Sequence, residues 1–425
     1  MTAPDPSTLG PWLKGYPATQ VPVARDAIGE RGWNMLAGDL PLPLALIKRE
    51  ALAHNIAWMQ SFARERGVQM APHGKTTMSP QLFRRQLDAG AWGITFANVF
   101  QLRVGVEAGV RRALIANQVH QSVDLDALAA LRAQHRDLRV VFLVDSPAQL
   151  ALIEAWHATH SAEPALEVLL EIGLAGGRTG VRGHDDAVAL GRALRASRAV
   201  RLVGIECYEG LGATGDSAVD EPYVDALMQR MAEIARALEA EALFEADEVI
   251  VSAGGSAVFD LVATRLAITL DRPVRALLRS GCYVTHDQGH YTRLVAAVNR
   301  RCGCEQGLTP ALELWTSVQS VPEPGLALLS AGRRDVGFDA GLPMPVAHAP
   351  AGAQRVMPAD PAWRITALND QHAYLQFGSD AKAQPRVGDR VGLGISHPCT
   401  TFDKWHWMPI VDDDYTVVDA ITIHF

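Results

Sequence analysis

Cysteine is scarce in this chain, with five residues (Cys207, Cys282, Cys302, Cys304 and Cys399) among 425. An odd, scattered set builds no disulfide frame, so the expectation is a protein of a reducing compartment, in the cytoplasm. No apolar run approaches the roughly 20 residues that a membrane helix needs, and the N-terminus has neither a basic stretch nor an apolar one of signal type. Membrane partners are not expected. Lysine and arginine form no run, and the formal charge is −8, which argues against nucleic acid and anionic lipid as partners. Internal repeats and low-complexity segments are also absent. What remains is an ordinary globular composition, 48% hydrophobic and 20% charged over 425 residues, long enough for two cores.

Met1 to Val21 is rich in proline and small polar residues, and reads as a loosely held arm. Val23 to Leu36 reads as a short helix, so residues 1–39 form an N-terminal unit. Leu42 to Ile47 reads as a strand, and Glu50 to Arg66 as an amphipathic helix with Leu52, Ile56, Met59 and Ala63 at helical spacing. Short apolar runs then alternate with helical ones. The strand-like runs are Val68 to Ala71, Gly93 to Ala97, Ala113 to Ala116, Arg139 to Val144, Leu166 to Ile172, Leu202 to Cys207, Val249 to Ala253 and Ala276 to Leu278. They lack alternating polarity, so they predict a parallel sheet buried on both faces. With Leu42 to Ile47 the count is nine, one more than a (β/α)8 barrel holds. A doubly wound open sheet is the other reading, but no phosphate-binding glycines follow the first strand. After about Asn299 the runs turn strand-like between Gly, Pro and Asp turns, which predicts an all-β domain over 299–425 behind an α/β domain over 40–298.

The chemistry-bearing stretch is Met70-Ala71-Pro72-His73-Gly74-Lys75-Thr76-Thr77. A strand ends at Pro72 and Gly74, and Ser79 opens a helix, so Lys75 falls at a strand's C-terminal end. Beside apolar walls a lysine there loses proton affinity and becomes an amine nucleophile suited to a Schiff base. The same stretch also fits a surface lysine in a βα loop. Ser252-Ala253-Gly254-Gly255-Ser256 follows a strand and opens a helix. It fits a phosphate cradle, with Gly254, Gly255 and Ser256 as donors, or a plain βα turn. Gly281-Cys282-Tyr283, after the last strand, has the same logic. Finally, His397 and Cys399 stand two apart in Ser396-His397-Pro398-Cys399. Imidazole and thiolate on an extended segment suit Zn²⁺ rather than Mg²⁺, although buried His and Cys are also common without a metal.

Pro72-His73-Gly74-Lys75-Thr76, Gly176-Gly177-Arg178-Thr179-Gly180, Cys207-Tyr208-Glu209-Gly210, Gly254-Gly255-Ser256, Ser280-Gly281-Cys282-Tyr283 and His397-Pro398-Cys399-Thr400 occur in this order. Together they resemble the D-serine dehydratase-like, or amino acid deaminase, branch of the alanine racemase-type (fold type III) pyridoxal phosphate enzymes. The resemblance implies a TIM-like (β/α)8 barrel plus a C-terminal β-domain, with Leu42 to Ile47 as the spare strand that joins the second domain. It implies pyridoxal 5'-phosphate bound by Lys75, its phosphate held by Gly254, Gly255, Ser256, Gly281, Cys282 and Tyr283, and its phenolate oxygen near Arg178.

Tyr208, by the same resemblance, faces the pyridine nitrogen. A neutral phenol there leaves that nitrogen largely unprotonated, which suits prompt loss of a β-substituent. The metal ligands implied are His397 and Cys399, with Asp403 either behind them or capping a turn. The activity implied is dehydration of a D-β-hydroxy amino acid such as D-serine or D-threonine to a 2-oxo acid and ammonia. Lys75 would take the Cα proton, and Zn²⁺ would ease loss of hydroxide. A homodimer with the site at the subunit interface is also implied. D-threonine aldolase-type cleavage, racemisation and a non-catalytic cofactor carrier are the rival readings.

Overall fold

The computed structural model describes residues 7–304, 306–378, 381 and 383–425, so residues 1–6 of the expected arm lie outside the described residues. Strands Gln69–Met70, Ile94–Phe96, Arg112–Gln118, Arg139–Val144, Leu166–Ile172, Val200–Cys207, Val249–Ala253 and Val274–Leu278 form one parallel sheet in which chain neighbours pair and the last returns to the first. The seam between the first two strands closes just above them. There His73 bridges Thr95, and Thr95 N–H donates to the Pro72 carbonyl at 2.8 Å.

The strands lack polar alternation because both faces are covered. Ala71, Leu114, Val141, Leu169, Ile250 and Leu277 meet inside the barrel, with Trp92 among them just ahead of the second strand. Their neighbours Ile115, Phe142, Val144, Val168 and Leu170 pack outward under the helices. Those helices start where their sequences say. Ser79 Oγ accepts from Leu82 N–H ahead of helix Pro80–Asp88, and Ser146 caps Pro147–Thr159 in the same way, each with proline in the first turn, where its missing N–H costs nothing.

The spare strand, Leu44–Lys48, pairs antiparallel with Leu312–Glu323 and parallel with Trp407–Val411, so it belongs to the all-β domain. Leu312–Glu323 is that domain's central strand, also bonded to Arg390–Gly394 and Leu326–Leu329. Trp315, Trp363, Trp405 and Trp407 are buried in its core.

Residues 7–39 are packed rather than loose. Leu9, Tyr16, Ile28 and Met35 are buried, and Tyr16 sits edge-on to Trp33 at 5.3 Å and to Trp407 at 5.9 Å between ring centroids. These apolar residues cover the β-domain, and that burial outweighs the proline-rich composition. The expected helix over Val23 to Leu36 shortens to one 3₁₀ run, Arg25–Arg31, ended by Gly32 at φ 62°. Among the described residues no helix is long and apolar enough to cross a membrane.

The two domains are clamped by a buried side chain on helix Arg49–Glu65. Asn55 donates from Nδ2 to the Thr309 carbonyl and accepts from Thr309 N–H through Oδ1, both at 2.7 Å. Asn55→Ala strands both backbone groups. The expected cost is about 2–3 kcal/mol, read as a lower urea midpoint; an unchanged midpoint would contradict the clamp.

Candidate active site

Strand Gln69–Met70 continues as Ala71 to His73, held on one side by Ala71 N–H to the Leu278 carbonyl (2.8 Å) and His73 N–H to the Arg279 carbonyl (3.1 Å). A single 3₁₀ turn, Gly74–Thr76, then carries Lys75 into the barrel mouth, where it lines a cavity of about 400 Å³. Among the described residues its amine has no hydrogen-bond partner. The walls differ from the apolar ones expected, for His73, Asn117, Glu206 and Arg279 line the same cavity. His73 Nδ1 is buried without a partner. Burial first, then the Lys75, Arg279 and Arg178 charges, holds that imidazole well below its usual pKa, so it is neutral at physiological pH.

Opposite lie Gly254, Gly255 and Ser256, which also line the cavity. Gly254 has φ 111°, and a Cβ there would come within 2.9 Å of Leu278 Cδ2, so glycine is required. The expected use of its N–H is corrected, however. Gly254 N–H donates to Glu209 Oε2 at 3.0 Å and Gly255 N–H to Glu209 Oε1 at 2.6 Å. The buried Glu209 carboxylate thus takes the two donors assigned to phosphate. Nor does a helix begin at Ser256, since Phe259–Ala263 starts three residues later. The donors still at the cavity are Ser256 and Gly281. A Cβ on Gly281 would meet the His73 carbonyl at 2.6 Å and Thr76 Oγ1 at 2.7 Å, so this glycine lets the cradle touch the lysine turn.

Cys282 N–H donates to Ser256 Oγ at 3.3 Å. Tyr283 does not join the site: its hydroxyl accepts from Gln86 Nε2 at 3.0 Å in the core. The cause is the 3₁₀ turn Cys282–Val284, where successive side chains point about 120° apart.

Arg178 and Tyr208 do come together, with the guanidinium carbon 4.8 Å from the ring centroid. The arginine's loop is fixed by Thr179 Oγ1 to Glu171 (2.7 Å) and Gly180 N–H to Asp145 (3.0 Å). Burial, reinforced by the Glu209 charge, raises the Tyr208 phenol, so it stays neutral. Sequence reasoning missed the buried contact between the Arg279 guanidinium and the Glu206 carboxyl, both at the cavity. Burial pushes the Glu206 carboxyl up to about 8, against the pull of Arg279. A charged residue in each of two otherwise apolar strand ends was the available signal.

On the rim from the β-domain, His397 and Cys399 meet Cys282. One ligand atom from each of the three lies within 4.8 Å of the others, and the two sulfurs are 3.5 Å apart. Their hydrogen bond, in which either sulfur can donate, lowers the Cys282 thiol and raises the Cys399 thiol. Cys399 opens a short helix, Cys399–Phe402, rather than lying on an extended segment, because Pro398 already has helical dihedrals. Cys399 Sγ also reaches Thr76 Oγ1 at 3.5 Å, one residue from Lys75.

The group behind His397 is Asp339, not Asp403: His397 Nδ1 bonds Asp339 Oδ2 at 2.6 Å, and Thr400 Oγ1 donates to Oδ1 at 2.6 Å. Asp403 instead lies 3.8 Å from Lys404. A carboxylate on Nδ1 leaves Nε2 for a metal. Asp339→Asn is therefore expected to weaken Zn²⁺ binding by about 10–100-fold, measured by competition with a chelating indicator.

The cavity fits pyridoxal phosphate on three counts: a lysine amine without a partner, an orphaned His73 nitrogen, and glycines where any Cβ would intrude. The donor set of two sulfurs and an imidazole fits Zn²⁺.

Residues 47–275 match the family profile "Alanine racemase, N-terminal domain", and residues 311–411 match "Putative serine dehydratase domain". A 3-hydroxy-D-aspartate aldolase of Paracoccus denitrificans (strain Pd 1222) is 29% identical over 73% of this chain and 76% of its own. A D-threo-3-hydroxyaspartate dehydratase of Delftia sp. (strain HT23) is also 29% identical, over 85% of this chain and 92% of its own. Among solved structures, a cysteine-to-alanine variant of a D-threo-3-hydroxyaspartate dehydratase in the metal-free form superposes with a TM-score of 0.71 at 25% identity, covering 92% of this chain and 100% of that one.

Proposed function

Because the chain belongs to the alanine racemase-type, fold type III family, we propose that it is a pyridoxal phosphate- and metal-dependent lyase that dehydrates a D-β-hydroxy amino acid to a 2-oxo acid and ammonia. The observation that carries this reading is the meeting of Lys75 with the His397, Cys399 and Cys282 cluster in one cavity, linked through Thr76.

Bound there, the cofactor supplies the electron sink for the substrate's Cα, and the metal supplies a Lewis acid at the β-oxygen. Lys75 is the residue to carry the cofactor and to exchange the Cα proton. Ser256 and Gly281 offer N–H groups, and Ser256 a hydroxyl, to its phosphate. Glu209 holds Gly254 and Gly255 in place rather than binding that group itself. Arg178, stacked on Tyr208, supplies positive charge where an anionic oxygen is to be held. The buried phenol of Tyr208 offers the pyridine nitrogen a neutral partner. His73 stays neutral beside Lys75, so it does not add a second cation to the lysine's surroundings.

A second reading, retro-aldol cleavage, is favoured by the likeness to aldolases, among them the 3-hydroxy-D-aspartate aldolase of equal identity. Product analysis with D-serine and D-threonine separates the two. The working unit is further proposed to be a cytoplasmic homodimer whose partner β-domain closes the cavity mouth; an active monomer on sedimentation would contradict the dimer.

A further inference from the structure

We propose that Cys282 is a third protein ligand of the metal, so that the centre is a His/Cys/Cys site binding one ion through two thiolates. This rests on the reading that His397 and Cys399 hold a metal.

The spacing is what such a site requires. Two thiolates each about 2.3 Å from one tetrahedral zinc stand about 3.8 Å apart, and here the sulfurs are 3.5 Å apart before any ion is considered. They are not a disulfide, whose sulfurs lie about 2.05 Å apart, and all five cysteines are free. His397 completes the set within 4.8 Å and is already oriented by Asp339.

Cys282 comes from the turn after the last barrel strand, whereas His397 and Cys399 come from the β-domain. The ion would therefore tie the two domains at the cavity rim. Cys282 also divides its labour. Its N–H goes to Ser256 in the cradle and its sulfur to the metal cluster, so a serine replacement keeps the first and removes the second.

The second thiolate has consequences for the chemistry. It lowers the net charge of a zinc–His–Cys unit from +1 to zero, which tightens binding and softens the ion as a Lewis acid. It also leaves one of four tetrahedral positions for a substrate oxygen.

The experiment uses the full chain with its cofactor, stripped of metal and titrated with Co²⁺ or Zn²⁺. In the unsubstituted protein the cobalt form should show strong thiolate-to-cobalt charge-transfer absorption. Cys282→Ser should lose about half of it, with one of two thiolates gone. Zn²⁺ binding should weaken by about 100-fold or more, beyond the effect of an outer partner. The visible absorbance of bound cofactor should persist, since the backbone N–H remains, and Cys302→Ser should match the parent throughout. X-ray absorption at the zinc edge of the unsubstituted protein, which needs no variant, should count two sulfurs per zinc. One sulfur per zinc, or equal cobalt spectra and zinc affinity with and without Cys282, would remove Cys282 from the centre and leave His397 and Cys399 in it. If the unsubstituted protein bound neither metal, the metal reading itself would fall and the third ligand with it.

Discussion

Lys75→Ala is expected to abolish the absorbance of the imine that pyridoxal phosphate forms with the lysine and to lower turnover by about 10⁴-fold or more, the upper end of what a single proton-transfer group contributes. Two roles converge on this amine. In the proposed function it is the covalent anchor, a role that suits an amine with no hydrogen-bond partner among the described residues on a turn at the cavity. It is also the amine proposed to exchange the Cα proton once a substrate has taken its place. Losing a cation alone would do less. Lys75→Arg separates the effects, because a guanidinium keeps the charge but neither forms the imine nor gives up its proton. Both variants should lack the lysine imine absorbance and be inactive. A visible spectrum unchanged in Lys75→Ala would sink the assignment.

The place of the lysine was legible locally, since a strand, two chain-breaking residues and a capped helix surround it within a few positions, but that setting fits a surface lysine equally, and its proposed role came from the resemblance. The spare strand was legible only through resemblance, since nothing in Leu44–Lys48 itself says that its partners are Leu312–Glu323 and Trp407–Val411. Where the reading failed, the deciding contact was distant in the chain. Gly254 and Gly255 look like phosphate donors until Glu209, on another barrel loop, is seen to occupy their N–H groups. Asp403 could be read either as a partner behind His397 or as a turn cap; it caps Cys399–Phe402, and the carboxylate on His397 is Asp339, distant in the chain. Tyr283 failed for a local reason of another kind: the turn's three-residue period sends Cys282 to the cavity and the next side chain to the core. The arm misled through its prolines, which say nothing of Leu9, Tyr16 and Ile28 packing onto the β-domain.

Exhaustive chelation is expected to abolish activity on D-serine and Zn²⁺ to restore it, while His397→Ala and Cys399→Ala should keep the visible spectrum of bound cofactor and lose about 10³-fold or more in turnover, the loss of several kcal/mol of Lewis-acid stabilisation. The split follows from the geometry. The residues proposed to anchor and cradle the cofactor lie on barrel loops, whereas His397 and Cys399 enter from the β-domain, with Cys399 meeting that set at Thr76 and Cys282. Full activity after chelation would take both residues out of the mechanism. In the proposed function the same ion would also bear on the product. Dehydration needs the Cβ–O bond weakened, whereas retro-aldol cleavage needs the β-hydroxyl proton removed, so the two readings ask different things of one centre. A thiolate suits Zn²⁺, whereas a carboxylate suits a harder ion such as Mn²⁺. The thiolate ligands of the proposed site suit zinc, and the reaction proposed there is dehydration. With D-threonine the expected products are therefore 2-oxobutanoate and ammonia in equal amounts. Glycine and acetaldehyde as the main products would overturn dehydration and make the chain an aldolase that runs on a thiolate-bound metal.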